Sequence, residues 1–233
     1  MVEGMSKIEK NIARIRETIT KAAAKSGRNT GDVKIMGVTK TVDDERIMEA
    51  IACGITIMGE NYVQEAKRKI ETMGHDLEWH MIGHLQSNKA KYAVRLFDMI
   101  HSVDRLGLAK ELDKRAKGSG AIMKVLIEVN TGGEETKSGV PQDEAIDLVR
   151  AVSRLDNLSV QGLMTMPPWF DSPEDARPYF VKLRDLKNRI VDEAIEGIEM
   201  GVLSMGMTDD YGVAVEEGAT IVRIGRAIFG ERK

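Results

Sequence analysis

The chain has 233 residues, of which 42% are hydrophobic and 30% are charged, and its formal net charge is −3 at pH 7. This length is enough for one large domain or two small ones. The slight negative charge gives no electrostatic basis for binding to nucleic acid or to a membrane surface.

Cysteine content and apolar runs narrow the class of protein further. The single cysteine, Cys53, excludes an intramolecular disulfide and a cysteine-based zinc cage, and we interpret it as a small apolar residue on a helix. No signal peptide is recognisable, and no apolar segment approaches the roughly 20 residues that span a bilayer. We therefore expect a cytoplasmic protein that binds neither a membrane nor nucleic acid.

The chain begins with a predicted helix over residues 6–24. Isoleucine recurs along this segment at steps of four, three and four, which is the spacing of a single helical face. The members of this apolar stripe are Ile8, Ile12, Ile15 and Ile19. Ser6 and Glu9 have the spacing of a capping box, and Gly27 is suited to end the helix.

Eight short apolar segments then alternate with helical patterns. The predicted strands are residues 33–38, 55–59, 77–83, 99–103, 122–130, 158–163, 199–204 and 220–224. The clearest helices between them are 45–52, 62–73, 104–117, 141–154 (beginning at Pro141) and 173–194, with a further helix ending at Leu96. No two strands are joined by a hairpin turn, so the strands are predicted to run parallel.

Eight βα units in this length predict an α/β fold, a closed (β/α)₈ TIM barrel, over an open doubly wound sheet. No GxGxxG follows the first strand, which argues against the dinucleotide-binding version of the open sheet. Too few residues follow the eighth strand for a full helix, and the N-terminal helix is predicted to complete the outer ring. No linker divides the chain, so residues 1–233 are expected to form one domain.

The active site of such a barrel lies at the C-terminal ends of its strands. Nearly every predicted strand end carries a polar residue or a glycine. These residues are Lys40, Asn61, His84, Ser102, Asn130, Met164 with Thr165, Ser204, and Arg223 with Gly225. Loop starts are often polar in any protein, and this explains about half of the pattern.

Two of these ends suggest a chemistry. Lys40 follows a buried strand, where its amine could form an imine with an aldehyde, although it could equally be a surface lysine in a βα loop. Residues 204–208 and 224–226 follow the last two strands, where many barrels bind phosphate. Ser204 and Gly225 could instead be a helix cap and a turn glycine. Together the two loops favour a phosphate site.

Barrel closure would place the eighth strand beside the first, so that a lysine and a phosphate site face one cavity. A ligand with both an aldehyde and a phosphate fits these two ends, and pyridoxal 5′-phosphate (PLP) is such a ligand.

Seven ordered motifs then carry a family resemblance: GVTKT, GENYVQE, WHMIGHLQSNK, EVNTGGEETKSG, GLMTMPP, LSMGMTDD and IVRIGRAIFG. From about residue 33 to residue 230 the chain resembles the pyridoxal phosphate homeostasis protein family, which is similar to the barrel domain of bacterial alanine racemase. The resemblance implies that Lys40 forms the Schiff base and that Arg223 faces the pyridine nitrogen. It also implies that Asn61 and Met164 lie near the cofactor.

The same resemblance assigns the phosphate to Ser204, Met205, Gly225 and Arg226, with Arg226 contributing only its backbone because its type varies in the family. His84 departs from the family pattern, in which many members have proline.

The implied function is that of a PLP-binding protein in vitamin B6 homeostasis, which holds PLP as an internal aldimine on Lys40 without robust turnover. An arginine at the ring nitrogen can only donate a hydrogen bond, which weakens the ring as an electron sink. The alternative is an amino-acid racemase that uses Lys40 with Tyr62 or Tyr211, and a third hypothesis is a phosphosugar enzyme. We expect a monomer, with PLP-dependent client enzymes as partners.

Overall fold

The computed structural model describes residues 4–134 and 137–231. Eight parallel strands form its centre. They are β1 (Lys34–Val38), β2 (Ile57–Glu60), β3 (Glu78–Met81), β4 (Met99–Val103), β5 (Met123–Asn130), β6 (Leu158–Met164), β7 (Ile198–Ser204) and β8 (Ile221–Ile224). Each strand lies within a few residues of its predicted position.

The sheet closes on itself. Every consecutive pair of strands is hydrogen-bonded in parallel, including β4 with β5, and β8 also pairs with β1. In that last pairing Met36 lies opposite Arg223, and Gly37 lies opposite Ile224. An open doubly wound sheet would leave two free edges, so the prediction of a (β/α)₈ barrel is confirmed.

Helices surround the barrel. Their bounds are α1 (Lys7–Lys25), α2 (Asp44–Ala52), α3 (Val63–Met73), α4 (Ala90–Leu96), α5 (Leu106–Ser119), α6 (Ala145–Val152), α7 (Arg177–Asp192), α8 (Tyr211–Glu216) and α9 (Arg226–Phe229). Short 3-10 turns lie at Thr30–Asp32, Ser87–Lys89 and Pro173–Ala176. None of these helices is both long and apolar enough to cross a bilayer.

The N-terminal helix occupies the place expected of it. Ser6 caps α1 by accepting a hydrogen bond from the backbone N–H of Glu9 at 3.1 Å, and the four predicted isoleucines are buried. The helix packs against α2 on one side and against α8 and α9 on the other. It therefore fills the outer ring beside the short α9, which is too short to cover β8 and β1 alone.

Two helix predictions need correction. Pro141 does not begin a helix: residues Val140–Pro141 form a two-residue strand beside the end of β5, and α6 begins only at Ala145. Proline has no N–H, but it is tolerated at such an edge position. The predicted helix 173–194 is a 3-10 turn followed by α7, which ends at Asp192. The predicted loop 131–139 includes two positions, 135 and 136, outside the described residues.

Replacing a core isoleucine of α1 tests whether this helix is part of the barrel. Ile12 is buried against the main apolar core, and Ile12→Ala should lower the free energy of unfolding by about 2–5 kcal/mol, through lost apolar contact and a residual cavity. Arg14→Ala, at an exposed position of the same helix, should change it by less than about 0.5 kcal/mol. Urea unfolding measures both. Equal small effects would mean that α1 is not seated on the barrel.

Candidate functional site

A cavity of about 590 Å³ opens among the C-terminal ends of the strands. Its walls come from the ends of β1, β2, β3, β5, β6 and β8 and from the loops that follow them. The lining residues include Val38, Asn61, Ile82, Gly83, His84, Glu128, Met164, Met207, Thr208, Arg223, Gly225 and Arg226. This is the end of the barrel at which the site was predicted.

A second cavity, of about 460 Å³, opens at the N-terminal ends of β1, β2 and β3, where Lys34 and Glu78 line it. None of the eight predicted site residues lines it. Active sites in (β/α)₈ barrels lie at the C-terminal ends of the strands, so we assign the site to the first cavity.

Five of the eight predicted residues line the first cavity: Asn61, Met164, Arg223, Gly225 and Arg226. Lys40, Ser204 and Met205 are not among its lining residues. Lys40 lies two positions after Val38, which does line the cavity. Its amine is 5.1 Å from the centre of the Tyr62 ring, and the side chain is half-buried. A long flexible stem lets the amine turn from this ring towards the cavity.

The backbone on both sides of Lys40 is held by a buried ion-pair cluster, Lys69 with Glu60 and Glu65. Lys69 is fully buried on α3, and its ammonium donates to the Thr39 carbonyl oxygen at 2.5 Å and to Glu60 and Glu65 at 2.7 Å each. Glu65 in turn accepts from the backbone N–H of Thr41 at 2.7 Å.

Thr41 has a φ of 62°, an uncommon conformation for a β-branched residue. Its bond to Glu65 is therefore one of the contacts that stabilise this turn. Burial raises the pKa of Glu60, whereas its hydrogen bonds from Lys69 and Thr39 oppose that rise. Lys40 thus projects from a backbone that is held on both sides.

Arg223 is fixed against neighbouring strands. Its Nη1 donates to the carbonyl oxygen of Ser204 at 2.7 Å and to the Ser204 hydroxyl at 2.9 Å, and its Nη2 donates to the Thr165 carbonyl oxygen at 2.8 Å. A guanidinium has five N–H donors, so two remain without an acceptor within the described part of the chain. Burial lowers the pKa of Arg223 to about 10, although Asp210 and Glu128 oppose this, and the group stays charged at neutral pH.

The Ser204 hydroxyl lies behind the cavity lining in the ligand-free structure, and its predicted contact with phosphate stays a prediction. It is fully buried, and its second neighbour is Nδ1 of His101 at 3.0 Å. Met205 is also fully buried and belongs to the main apolar core. Ser204 ends β7, and two later residues of the same loop, Met207 and Thr208, line the cavity.

The loops after β7 and β8 form a surface suited to an anion. The backbone N–H groups of Gly225 and Arg226 line this region and donate to no acceptor among the described residues. The Thr208 hydroxyl accepts from the backbone N–H of Ala227 at 3.3 Å, which ties the two loops together. The Arg226 side chain pairs with Asp209, so its backbone is the part available to a ligand.

Gly206 allows the first of these loops to turn tightly. Its φ is +90°, and a Cβ there would lie 2.5 Å from the Cβ of Ala214. Any other residue would have to displace α8, so the glycine is required by packing as well as by conformation.

Glu128 is a site residue that the sequence reasoning missed. It lies on β5, is 4% exposed and lines the cavity, and its Oε2 has no hydrogen-bond partner among the described residues. Burial raises its pKa to about 7, Asp104 adds to the rise, and Arg223 opposes it. The only available signal was a charged residue within an otherwise apolar strand, which a surface position explains equally well.

Comparison with known proteins agrees with this geometry. The family described as the alanine racemase N-terminal domain matches residues 5–233. A pyridoxal phosphate homeostasis protein from Aquifex aeolicus is 48% identical over 223 residues, covering 95% of this chain and 97% of that protein. One from Escherichia coli K12 is 38% identical over 236 residues, covering 98% of each. The chain belongs to the pyridoxal phosphate homeostasis protein family.

Solved structures place the fold in the same group. PipY of Synechococcus elongatus, solved with PLP bound, superposes with a TM-score of 0.84 at 32% identity, and 96% of this chain and all of that one are covered. An alanine racemase from Clostridium difficile has a TM-score of 0.72 at 14% identity, covering 97% of this chain but 56% of that one. The second likeness concerns the fold alone. This member of the pyridoxal phosphate homeostasis family thus corresponds to the barrel part of the racemase.

The pKa of Glu128 predicts how the stability of the ligand-free protein depends on pH. The folded protein keeps this proton up to about pH 7, whereas an unfolded chain releases it near 4.5. Stability therefore falls as pH rises through this window, by up to on the order of 3 kcal/mol. Glu128→Gln has no proton to lose and should show a smaller decrease between pH 5 and pH 8.

Urea unfolding at several pH values measures this difference. Glu71→Gln, at an exposed position of α3, is the matched control and should keep the pH dependence of the unaltered protein. If Glu128→Gln kept it as well, the buried carboxyl would not carry the proton.

Proposed function

We propose that this protein binds PLP in the cavity, forms a Schiff base with it through Lys40, and serves intracellular vitamin B6 homeostasis without robust catalytic turnover. The observation that carries the proposal is the position of Lys40 relative to Gly225 and Arg226. These residues follow β1 and β8, which are neighbours only because the barrel closes. Family membership and the PLP-bound PipY relative support the same ligand.

The residues present fit the groups of PLP. The cofactor supplies an aldehyde, a phosphate and an aromatic ring that can accept electrons. Lys40 provides an amine that can reach the cavity from a fixed backbone. The free backbone N–H groups of Gly225 and Arg226, with the Thr208 hydroxyl, provide donors for the phosphate.

Arg223 is proposed to face the pyridine nitrogen with one of its two remaining N–H donors. It keeps its own charge at neutral pH, so it donates a hydrogen bond and does not transfer a proton to the ring. A pyridine held in this way is a weaker electron sink, which favours storage and release of PLP over carbanion chemistry. Asn61 and Met164 are proposed to contact the ring from the opposite walls.

We further propose a monomer that acts in the cytoplasm and passes PLP to client enzymes. Such a carrier needs a covalent bond that protects the aldehyde and that another amine can reverse. A lysine with a mobile side chain at a cavity edge meets both needs, because its amine can approach the ligand or withdraw from it.

A second candidate function is an amino-acid racemase, and one contact favours it. The Lys40 amine lies 5.1 Å from the centre of the Tyr62 ring, so the two groups considered as an acid–base pair are neighbours, although neither is among the residues that line the cavity. Tyr211, the other tyrosine considered, begins α8 and does not line the cavity.

Substitution of the lysine tests the proposed linkage. Lys40→Ala should still bind PLP, with affinity lowered roughly tenfold or more because the covalent bond is lost. After borohydride reduction, peptide mass mapping should find the PLP mass on the Lys40 peptide of the unaltered protein and on no peptide of the variant. Lys67→Ala, an exposed lysine of α3, should leave the linkage intact. Linkage retained in Lys40→Ala would assign the Schiff base to another lysine.

Hydrogen exchange separates the carrier from the racemase. In deuterated water, the PLP-loaded protein should exchange the α-proton of alanine no faster than free PLP does, because the ring nitrogen is not protonated. Nuclear magnetic resonance of the amino acid measures the rate. Faster exchange that is abolished in both Lys40→Ala and Tyr62→Phe would establish the racemase instead.

A further inference from the structure

The barrel interior contains two buried histidines that the proposed function does not use. His80 on β3 and His101 on β4 are at most 1% exposed, and Nδ1 of His80 lies 3.0 Å from Nε2 of His101. Nδ1 of His101 lies 3.0 Å from the Ser204 hydroxyl, which contacts Arg223. A continuous line of polar contacts therefore crosses the barrel from the cavity towards its other end.

We propose that Arg223, Ser204, His101 and His80 form a hydrogen-bond chain with a single direction, and that the two histidines position Arg223 for the ligand. The direction of the chain follows from side-chain chemistry alone. The positioning role rests on the proposed function, because it assumes that Arg223 contacts PLP.

The arginine sets the first bond. A guanidinium carries donors and no acceptor, so Arg223 donates to the Ser204 hydroxyl oxygen. The hydroxyl has one proton of its own, and its other polar neighbour is Nδ1 of His101. By donating its proton to Nδ1 of His101, the Ser204 hydroxyl completes its hydrogen bonding. The opposite arrangement, in which His101 donates to Ser204, would leave a buried hydroxyl proton without an acceptor.

The direction then passes through the two rings. Burial lowers the pKa of His101 well below its usual value, and the nearby charge of Arg223 lowers it further, so the ring is neutral. With Nδ1 acting as acceptor, its single proton is on Nε2 and is donated to Nδ1 of His80. His80 then carries its own proton on Nε2.

The far end of the chain agrees with this direction. Nε2 of His80 is buried and has no hydrogen-bond partner among the described residues, but it lies 3.5 Å from a carboxylate oxygen of Glu78, close enough for attraction to an N–H. If the chain ran the other way with a neutral His80, an unprotonated nitrogen would face that carboxylate. The Ser204 end excludes the reversed chain whatever the charge of His80, because the hydroxyl proton would have no acceptor among the described residues.

This chain has two consequences for the cavity. In the ligand-free protein the Ser204 proton is directed towards His101. The same hydroxyl, with the carbonyl oxygens of Ser204 and Thr165, holds the guanidinium from behind and leaves its two remaining donors for a ligand. His101 thus acts on Arg223 through Ser204, as a positioning residue and not as a catalytic one.

Nuclear magnetic resonance of ring-¹⁵N histidine in the PLP-free protein tests the direction. The chain has four histidines, and the exposed His75 and His84 provide internal reference signals. His80 and His101 should each appear as the neutral tautomer protonated on Nε2. A proton on Nδ1 of either buried ring would overturn the proposal.

Two serine variants supply a matched comparison. Ser204→Ala removes the donor to His101, and its ring should lose the single tautomer. Ser102 is equally buried, lies next to His101 on β4, and has a hydroxyl without a partner among the described residues. Ser102→Ala should therefore leave both histidine spectra unchanged. An unchanged His101 spectrum in Ser204→Ala would contradict the chain.

Ligand affinities of the same variants test the positioning role. Ser204→Ala should weaken the binding of PLP and of pyridoxal by a similar factor, roughly three- to tenfold, because Arg223 acts on the ring that both ligands share. A loss confined to PLP would mean that Ser204 contacts the phosphate, and no loss for either would refute positioning. If the unaltered protein bound neither ligand, the proposed function would fail while the tautomer result stood by itself.

Discussion

The site depends on the closure of the parallel sheet. Each βα unit leaves the C-terminal end of its strand at the same rim, but only the pairing of β8 with β1 brings the last loop of the chain beside the first. Lys40 and the Gly225 and Arg226 backbone are about 185 residues apart along the chain. Their proximity is a property of the closed barrel, and an open sheet would separate them.

Closure also encloses polar groups, and these must be satisfied internally. Two buried clusters meet most of this requirement: the Lys69 ammonium with its three acceptors beside Lys40, and the line from Arg223 to His80 across the barrel. An incomplete network costs more than an apolar core, so each cluster fixes the backbone that it touches. Several buried polar atoms still lack a partner among the described residues, including one carboxylate oxygen each of Glu60 and Glu128 and Nε2 of His80. Of these residues only Glu128 lines the cavity, where a ligand or a proton can satisfy its carboxylate.

The sequence was informative wherever a local pattern determines structure. Apolar runs and the isoleucine stripe predicted the strands and the seat of α1, and strand ends predicted five of the residues that line the cavity. It was silent where a partner lies far along the chain. The hydrogen bond of the Ser204 hydroxyl to His101 joins residues 103 positions apart, and nothing near Lys69 in the sequence shows that it is buried against Glu60. Pro141 misled because proline begins strands at edges as well as helices.

The central claim is that one cavity holds the aldehyde, ring and phosphate of a single ligand against Lys40, Arg223 and the loop after β8. A crystal structure of the protein with PLP tests it most directly. The account predicts continuous density from the Lys40 amine to the cofactor, the pyridine nitrogen beside Arg223, and the phosphate on the Gly225 and Arg226 backbone. Density for PLP on another lysine, or with its phosphate remote from Gly225, would contradict it.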